Sequence, residues 1–216
     1  MSLWVALAVI GLAYTMVMVL VGMGTRKVRK QYHREIAEWA LARGWTLREG
    51  GRDPAWKTRL PRGVDGQVDL QVDGASPRHV FTLVHLQKHT VTYAATAVVI
   101  EIDFTVVVVY LPTVHPYTEI RRRSLFRRPS TSDTIGHAEF DKKFRVLTKA
   151  SDGAAAVIST ALAEAHLNGD VPLWTLRDNE LICHSIGKPE AKTLDATLGR
   201  ALRVAELITA PREPGA

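Results

Sequence analysis

The chain has 216 residues, 46% of them hydrophobic and 23% charged, an ordinary globular balance that excludes both a disordered polymer and a multi-span membrane protein. Its one cysteine, Cys183, excludes an intrachain disulfide framework and a cysteine zinc cluster. The formal charge of +6 is local: without Arg26, Lys27, Arg29, Lys30 and Arg34, and without Arg121, Arg122, Arg123, Arg127 and Arg128, the 28 basic residues fall to 18 against 22 acidic ones, a net of −4. A nucleic-acid binder would spread its cations over one face, so no nucleic-acid partner is expected.

Leu3 to Gly24 is a run of 22 residues without a formal charge. At about 1.5 Å per residue a helix over it would span roughly 33 Å, the thickness of a hydrocarbon core. Nothing basic precedes it except the amino terminus, and Gly22-Met23-Gly24, followed at once by cations, is a poor cleavage site. Residues 1–24 are therefore expected to be an uncleaved, single-pass signal anchor. The Lys and Arg residues follow the span and none precedes it, which predicts an inner (plasma) membrane protein with its N-terminus outside and its bulk in the cytoplasm. Gly11 and Thr15, with Ala8 nearby, offer one small-xxx-small pair through which two anchors could meet as a homodimer.

Residues 25–44 predict a basic, membrane-proximal helix. Val28, Tyr32, Ile36 and Trp39/Ala40 recur at spacings of three and four, and Gly44 suits the position just past a helix end. Its cations Arg26, Lys27, Arg29, Lys30 and Arg34 would lie against an anionic leaflet, each worth about 1 kcal/mol there. The plainer reading is a topological signal followed by a helix that packs on the next domain.

Residues 45–210 are expected to form a cytoplasmic α+β domain: a mainly antiparallel sheet region, then a mixed strand and helix part, with a sub-boundary near 126–138. Gln67 to Asp73 alternates apolar and polar, as a half-buried strand does. Strands are expected at 45–49, 80–87, 97–102 and 104–111, and the all-apolar run Val106 to Val109 should be covered on both faces. Asp73-Gly74 reads as a turn, Pro112 and Pro116 as the end of a strand, and Tyr117 to Arg122 as a short edge strand. Further on, 144–147 reads as a strand, and Ser151 or Asp152 as the cap of a helix running to about Leu167. Strands at 173–177 and 180–185 are expected to form a hairpin about Asp178-Asn179, and Pro189 to start a last helix with Leu194, Leu198, Ala201, Leu202, Ala205 and Ile208 on its apolar face. Residues 211–216 read as a flexible tail.

The apolar anchor, the basic helix ending at Gly44-Trp45, the valine-rich strand ending at Leu111-Pro112, the stretch Phe140 to Val146, the Ala-rich helix and the Trp174-x-Leu176…Leu181 pattern together resemble a group of uncharacterised, membrane-anchored actinobacterial proteins. The resemblance runs over most of the chain on hydrophobic motifs. It implies an architecture, a domain of unknown function on a single-pass anchor, and transfers no catalytic residue.

Candidate chemistry is sparse. His85 and His89 have the spacing of a helical metal pair, but on a strand they stand about 13 Å apart, too far to share an ion. Cys183 and His184 are neighbours that point to opposite strand faces, so the thiol reads as a buried structural one. Glu101 and Asp103 share a face, most simply at a hairpin end. His115 and His137 read as ordinary surface or turn residues. No phosphate loop, nucleophile elbow or dinucleotide fingerprint is present, so no catalytic, cofactor or metal residues are assigned and no cofactor is expected.

The stretch Arg121 to Ser130 sets Arg121, Arg122, Arg123, Arg127 and Arg128 around Leu125-Phe126. It suits contact with an anionic bilayer, Phe126 inserted, and Ser130 after Arg-Arg-Pro suits a basophilic kinase. A solvated basic loop is the simpler alternative. The expected function is a membrane-tethered, non-catalytic interaction or scaffold domain that binds a protein partner at the inner membrane. An anionic-lipid adaptor regulated through residues 121–134, and an enzyme of unknown type, are the alternatives.

Overall fold

The longest element explains the rest. In a computed structural model, which describes residues 28–50, 53–61, 63–93, 97–123, 134–150, 154 and 157–210, one strand runs without a break from Ala97 to Arg122. The expected anchor at 1–24, Arg26 and Lys27, residues 124–133 with Phe126, Arg127, Arg128 and Ser130, the expected cap at Ser151 or Asp152 and the expected tail at 211–216 lie outside the described residues. Among the described residues no helix is long and apolar enough to cross a membrane.

In chain order the elements are α1 (28–41), β1 (Thr46–Glu49), a 3-10 turn (Ala55–Arg59), β2 (Gln67–Ala75), β3 (Val80–Tyr93), β4 (Ala97–Arg122), α2 (Ala138–Lys143), β5 (Phe144–Thr148), α3 (Thr160–Asn168), β6 (Trp174–Ile186) and α4 (Ala191–Thr209). The six strands make one sheet of order β1-β2-β3-β4-β5, with β6 on β4, and every pairing is antiparallel. The α+β class with a mainly antiparallel sheet and C-terminal helices is thus as expected. Along one edge of β4, β3 pairs with Ala97 to Tyr110 and β5 takes over at Thr118 to Arg122. The other edge belongs to β6.

Several boundaries differ from the sequence expectation, each for a physical reason. Pro112 and Pro116 do not end β4. They fall where its register against β6 shifts, between Tyr110 and His115 and between His115 and Thr118, so their missing N–H groups interrupt no regular ladder. Tyr117 to Arg122 is therefore the end of a central strand, paired on both sides at Thr118 and Glu119. Residues 173–185 do not form a hairpin: both halves pair with β4, and Asp178, at φ 56°, opposes His115 in the irregular stretch. Gly74 lies inside β2, where an added Cβ would sit 2.6 Å from Phe81 Cζ, and the turn comes at Ser76 to His79 instead. The Ala-rich helix starts at Thr160, not at 151 or 152, because Ser159 accepts from the Leu162 N–H at 3.2 Å and caps it there.

The sheet is covered on both faces, as the valine run requires. Val107 and Val109 join Phe81, Leu83, Leu181 and Trp174 under α1, α3 and α4. Val106 and Val108 join Trp56, Val84 and Leu86 under the 3-10 turn. Helix α1 is held at its C-terminal end by Trp39, which stacks edge-on against Trp45 at 5.0 Å, and by Arg43 Nη2, which donates to Asp195 of α4 at 2.6 Å. Gly44, at φ 71°, ends that helix as expected.

Candidate functional site

The other end of α1, the end that follows the expected anchor, meets the sheet through charged groups. Arg29, Tyr32, His33 and Ile36 fall at spacings of three and four and so share the inward face. Val28, expected on this stripe, is 69% exposed, so the stripe starts at Tyr32. Opposite them is Asp69. The β2–β3 register shifts between Val68 and Leu70, leaving Asp69 as an extra residue. Leu70 and Val72 then face the α1 side while Val68 faces the other core, so the bulge turns the Asp69 carboxylate toward α1.

Buried Asp69 accepts from three side chains. His33 Nε2 lies 3.0 Å from Oδ2, His85 Nδ1 lies 2.9 Å from the same oxygen, and the Arg29 guanidinium donates to Oδ1. Burial alone would raise this carboxyl's pKa, but the hydrogen bonds from His85, His33 and Arg29 outweigh it and hold the group well below the usual carboxylate range. His85, fully buried on β3, reaches a second carboxylate: its Nε2 lies 2.9 Å from Asp103 Oδ1 on β4. A neutral imidazole donates to one of these carboxylates, and only the doubly protonated ring donates to both. The Tyr32 hydroxyl lies 3.3 Å from His85 Nδ1, and burial, reinforced by Asp69 and Asp103, pushes its pKa up. Lys188, just after β6, closes the ring of charges 3.9 Å from Asp103 Oδ2.

Two imidazoles, two carboxylates, a phenol and a guanidinium thus join α1, β2, β3 and β4. Such a network fixes one docking of the helix, since any other leaves buried donors and acceptors unmatched. Outside it runs an open groove of about 510 Å³, with Arg29, Lys30 and Arg34 on the α1 side and Glu49 and Gly50 on the β1 side.

The structure brings Arg29, Lys30 and Arg34 together on this groove and sets Arg121 to Arg123 at the opposite end of β4 from Asp103. There Arg121 Nε and Nη2 donate to the buried Glu119 at 2.6 and 2.7 Å, and Arg123 Nε lies 3.3 Å from the Phe144 carbonyl, leaving Arg122 exposed. Glu101 and Asp103 share a face but lie mid-strand, not at a hairpin end. His85 and His89 both lie on β3, as a strand reading requires. Cys183 is buried, which pushes its thiol up, and the cavity beside it and His184 holds only about 60 Å³.

Sequence reasoning missed Asp69, His33 and the link between His85 and Asp103. Strict alternation puts Asp69 on the polar face of β2, and a bulge leaves no mark in a single sequence. The available signal was His85 itself, a polar residue on the same strand face as Phe81 and Leu83.

These features define a single-sheet α+β domain with a basic helix latched onto it by a buried polar network. No family model matches the chain, and no curated protein matches it. Among solved structures, the crystal structure of the mycobacterial trehalose monomycolate transport factor A, TtfA, is similar, with a TM-score of 0.58 and 15% sequence identity over 85% of this chain and 98% of that one. At that identity the likeness is one of fold, and it comes from an actinobacterial group, in keeping with the resemblance read from the sequence.

Proposed function

We propose that this chain is a membrane-tethered cytoplasmic domain that acts without catalysis, binding a protein partner in the transport of an envelope lipid at the inner membrane. The observation that carries it is the latch. The helix that follows a 22-residue uncharged segment is joined to the sheet through Arg29, Tyr32 and His33, so a span at residues 3–24 would hold the domain in one orientation against the bilayer. The similar fold of a transport factor supports the process, and the absence of a recognised catalytic motif in the sequence supports a binding role.

The test is topological first. A C-terminal tag should resist protease in intact cells and become sensitive after permeabilisation, on a chain of full mass. A photo-crosslinking residue at the exposed position of Val114 should then give an adduct with an integral membrane transport component. Cleavage of the tag in intact cells, or adducts with soluble proteins alone, would overturn the proposal.

A further inference from the structure

We propose that the groove between α1 and β1 binds the phosphate of an anionic lipid headgroup, an inference that rests on the tethered reading above. Covalent geometry places it within reach of the bilayer. Arg29 follows Gly24 by five residues, so even a fully extended chain keeps it within about 17 Å of the end of the expected span. The latch then fixes which surface faces the lipid, because Arg29 and His33 cannot leave Asp69 without exposing its buried charge.

Lys30 and Arg34, one turn apart, stand on the wall of the groove. Lys30 makes no ion pair with a described residue, and Arg34 pairs only loosely with Glu38, at 3.7 Å with both side chains over 70% exposed. Arg29 gives part of its five-donor guanidinium to Asp69 while its side chain stays 62% exposed on the groove. Glu49 on the opposite lip, 3.4 Å from His33 Nδ1, is the one groove carboxylate left with most of its surface in solvent, since Asp69 is already matched by three donors. The groove therefore presents cations to a headgroup, with Glu49 as its one solvent-exposed acidic residue to limit its affinity.

The full chain, in neutral detergent, is titrated with phosphatidylglycerol, phosphatidylcholine or inorganic phosphate and read by native mass spectrometry. One phosphatidylglycerol should be retained at least tenfold more tightly than phosphatidylcholine. The double variant Lys30→Ala, Arg34→Ala should lose about 25-fold, roughly fivefold for each cation, with its thermal unfolding unchanged because both side chains are exposed. Glu49→Gln should tighten binding about threefold by removing the opposing charge. Arg203→Ala, on α4 and outside the groove lining, should change nothing. Equal retention of the two lipids would mark annular lipid and overturn the proposal. So would full retention by the double variant, loss of retention on Glu49→Gln, or displacement by inorganic phosphate at matching concentration, which would make the groove a site for free phosphate. None of these readings depends on which side of the membrane the domain lies. A protected tag with no headgroup selectivity would thus sink this inference and spare the tethered reading, whereas an accessible tag with headgroup selectivity retained would overturn the cytoplasmic placement and spare this inference, which needs only the tether.

Discussion

Replacing Asp69 with alanine should release the membrane-proximal end of α1. The carboxylate accepts from His33, His85 and Arg29, and its removal leaves two buried imidazole donors without it. Each buried donor left unmatched costs about 1–3 kcal/mol. His85 can turn part of its need to the Tyr32 hydroxyl at 3.3 Å, and Arg29, 62% exposed, returns to water, so neither adds its full share. The sum is about 3 kcal/mol, at the lower end of what breaking a buried charge pair costs. For a domain of this size that is a fall in Tm of about 6–12 °C, read by the fluorescence of Trp39 and Trp45, which touch each other across the end of α1. Trypsin should also cut faster at Arg29, Lys30 and Arg34 in the variant, since α1 loses its latch before the core opens. Asp69→Asn, which keeps one acceptor, should fall between. Glu139→Ala, which removes an exposed pair with Lys142, should leave Tm unchanged. A fall below about 2 °C for Asp69→Ala with unaltered proteolysis would refute the idea that the network holds the helix.

His166 is buried, its Nε2 accepting from Trp174 Nε1 at 3.1 Å, and burial pulls its pKa from 6.5 down to about 4. Between those values the unfolded chain binds the extra proton, so the stability His166 contributes is complete above pH 6.5 and is lost toward pH 4, about 3 kcal/mol in all. Burial lowers His115 and His184 in the same sense, so the measurement is the difference in unfolding free energy between the native chain and His166→Gln across that window, and a pH-independent difference would contradict the assignment. Gly74→Ala should cost about 1–3 kcal/mol by overpacking against Phe81 and Trp45, with no contribution from backbone strain, and an unchanged unfolding midpoint would count against this packing. Cys183 should react with a maleimide only at the rate of unfolding, because its thiol is buried and its pKa raised; rapid labelling of the native chain would show otherwise.

Much of the fold was legible because local patterns are decided locally. The four-valine run could only be a strand covered twice, and Val106 to Val109 do alternate between two cores. The apolar period of α4 gave its buried face at Leu194, Leu198, Ala201 and Ala205, though Val204 was overlooked. The breaks were less legible. Proline, Asp-Asn and Asp-Gly pairs end strands in most settings, yet here β4 runs through its prolines and β6 through Asp178-Asn179 on shifted registers, which their pairing with each other supports, and β2 runs through Asp73-Gly74 in regular register with β3. The helix α2 was missed because six residues carry too little period to stand out, and its cap is an unusual one, His137 Nδ1 accepting from the Phe140 N–H at 3.3 Å.

The candidate site shows the same division more sharply. Composition and charge order alone gave the uncharged segment, the cations after it and the helix ending at Gly44, because hydropathy and helical period are properties of consecutive residues. The association of Arg29, Tyr32, His33, Asp69, His85, Asp103 and Lys188 was decided only by tertiary structure. They come from α1, three strands and the loop after β6, and their meeting depends on one extra residue in β2 that turns a carboxylate from one face of the sheet to the other. A bulge is settled by the partner strand's register and by what must be buried on each face, and neither is written in the residues that form it.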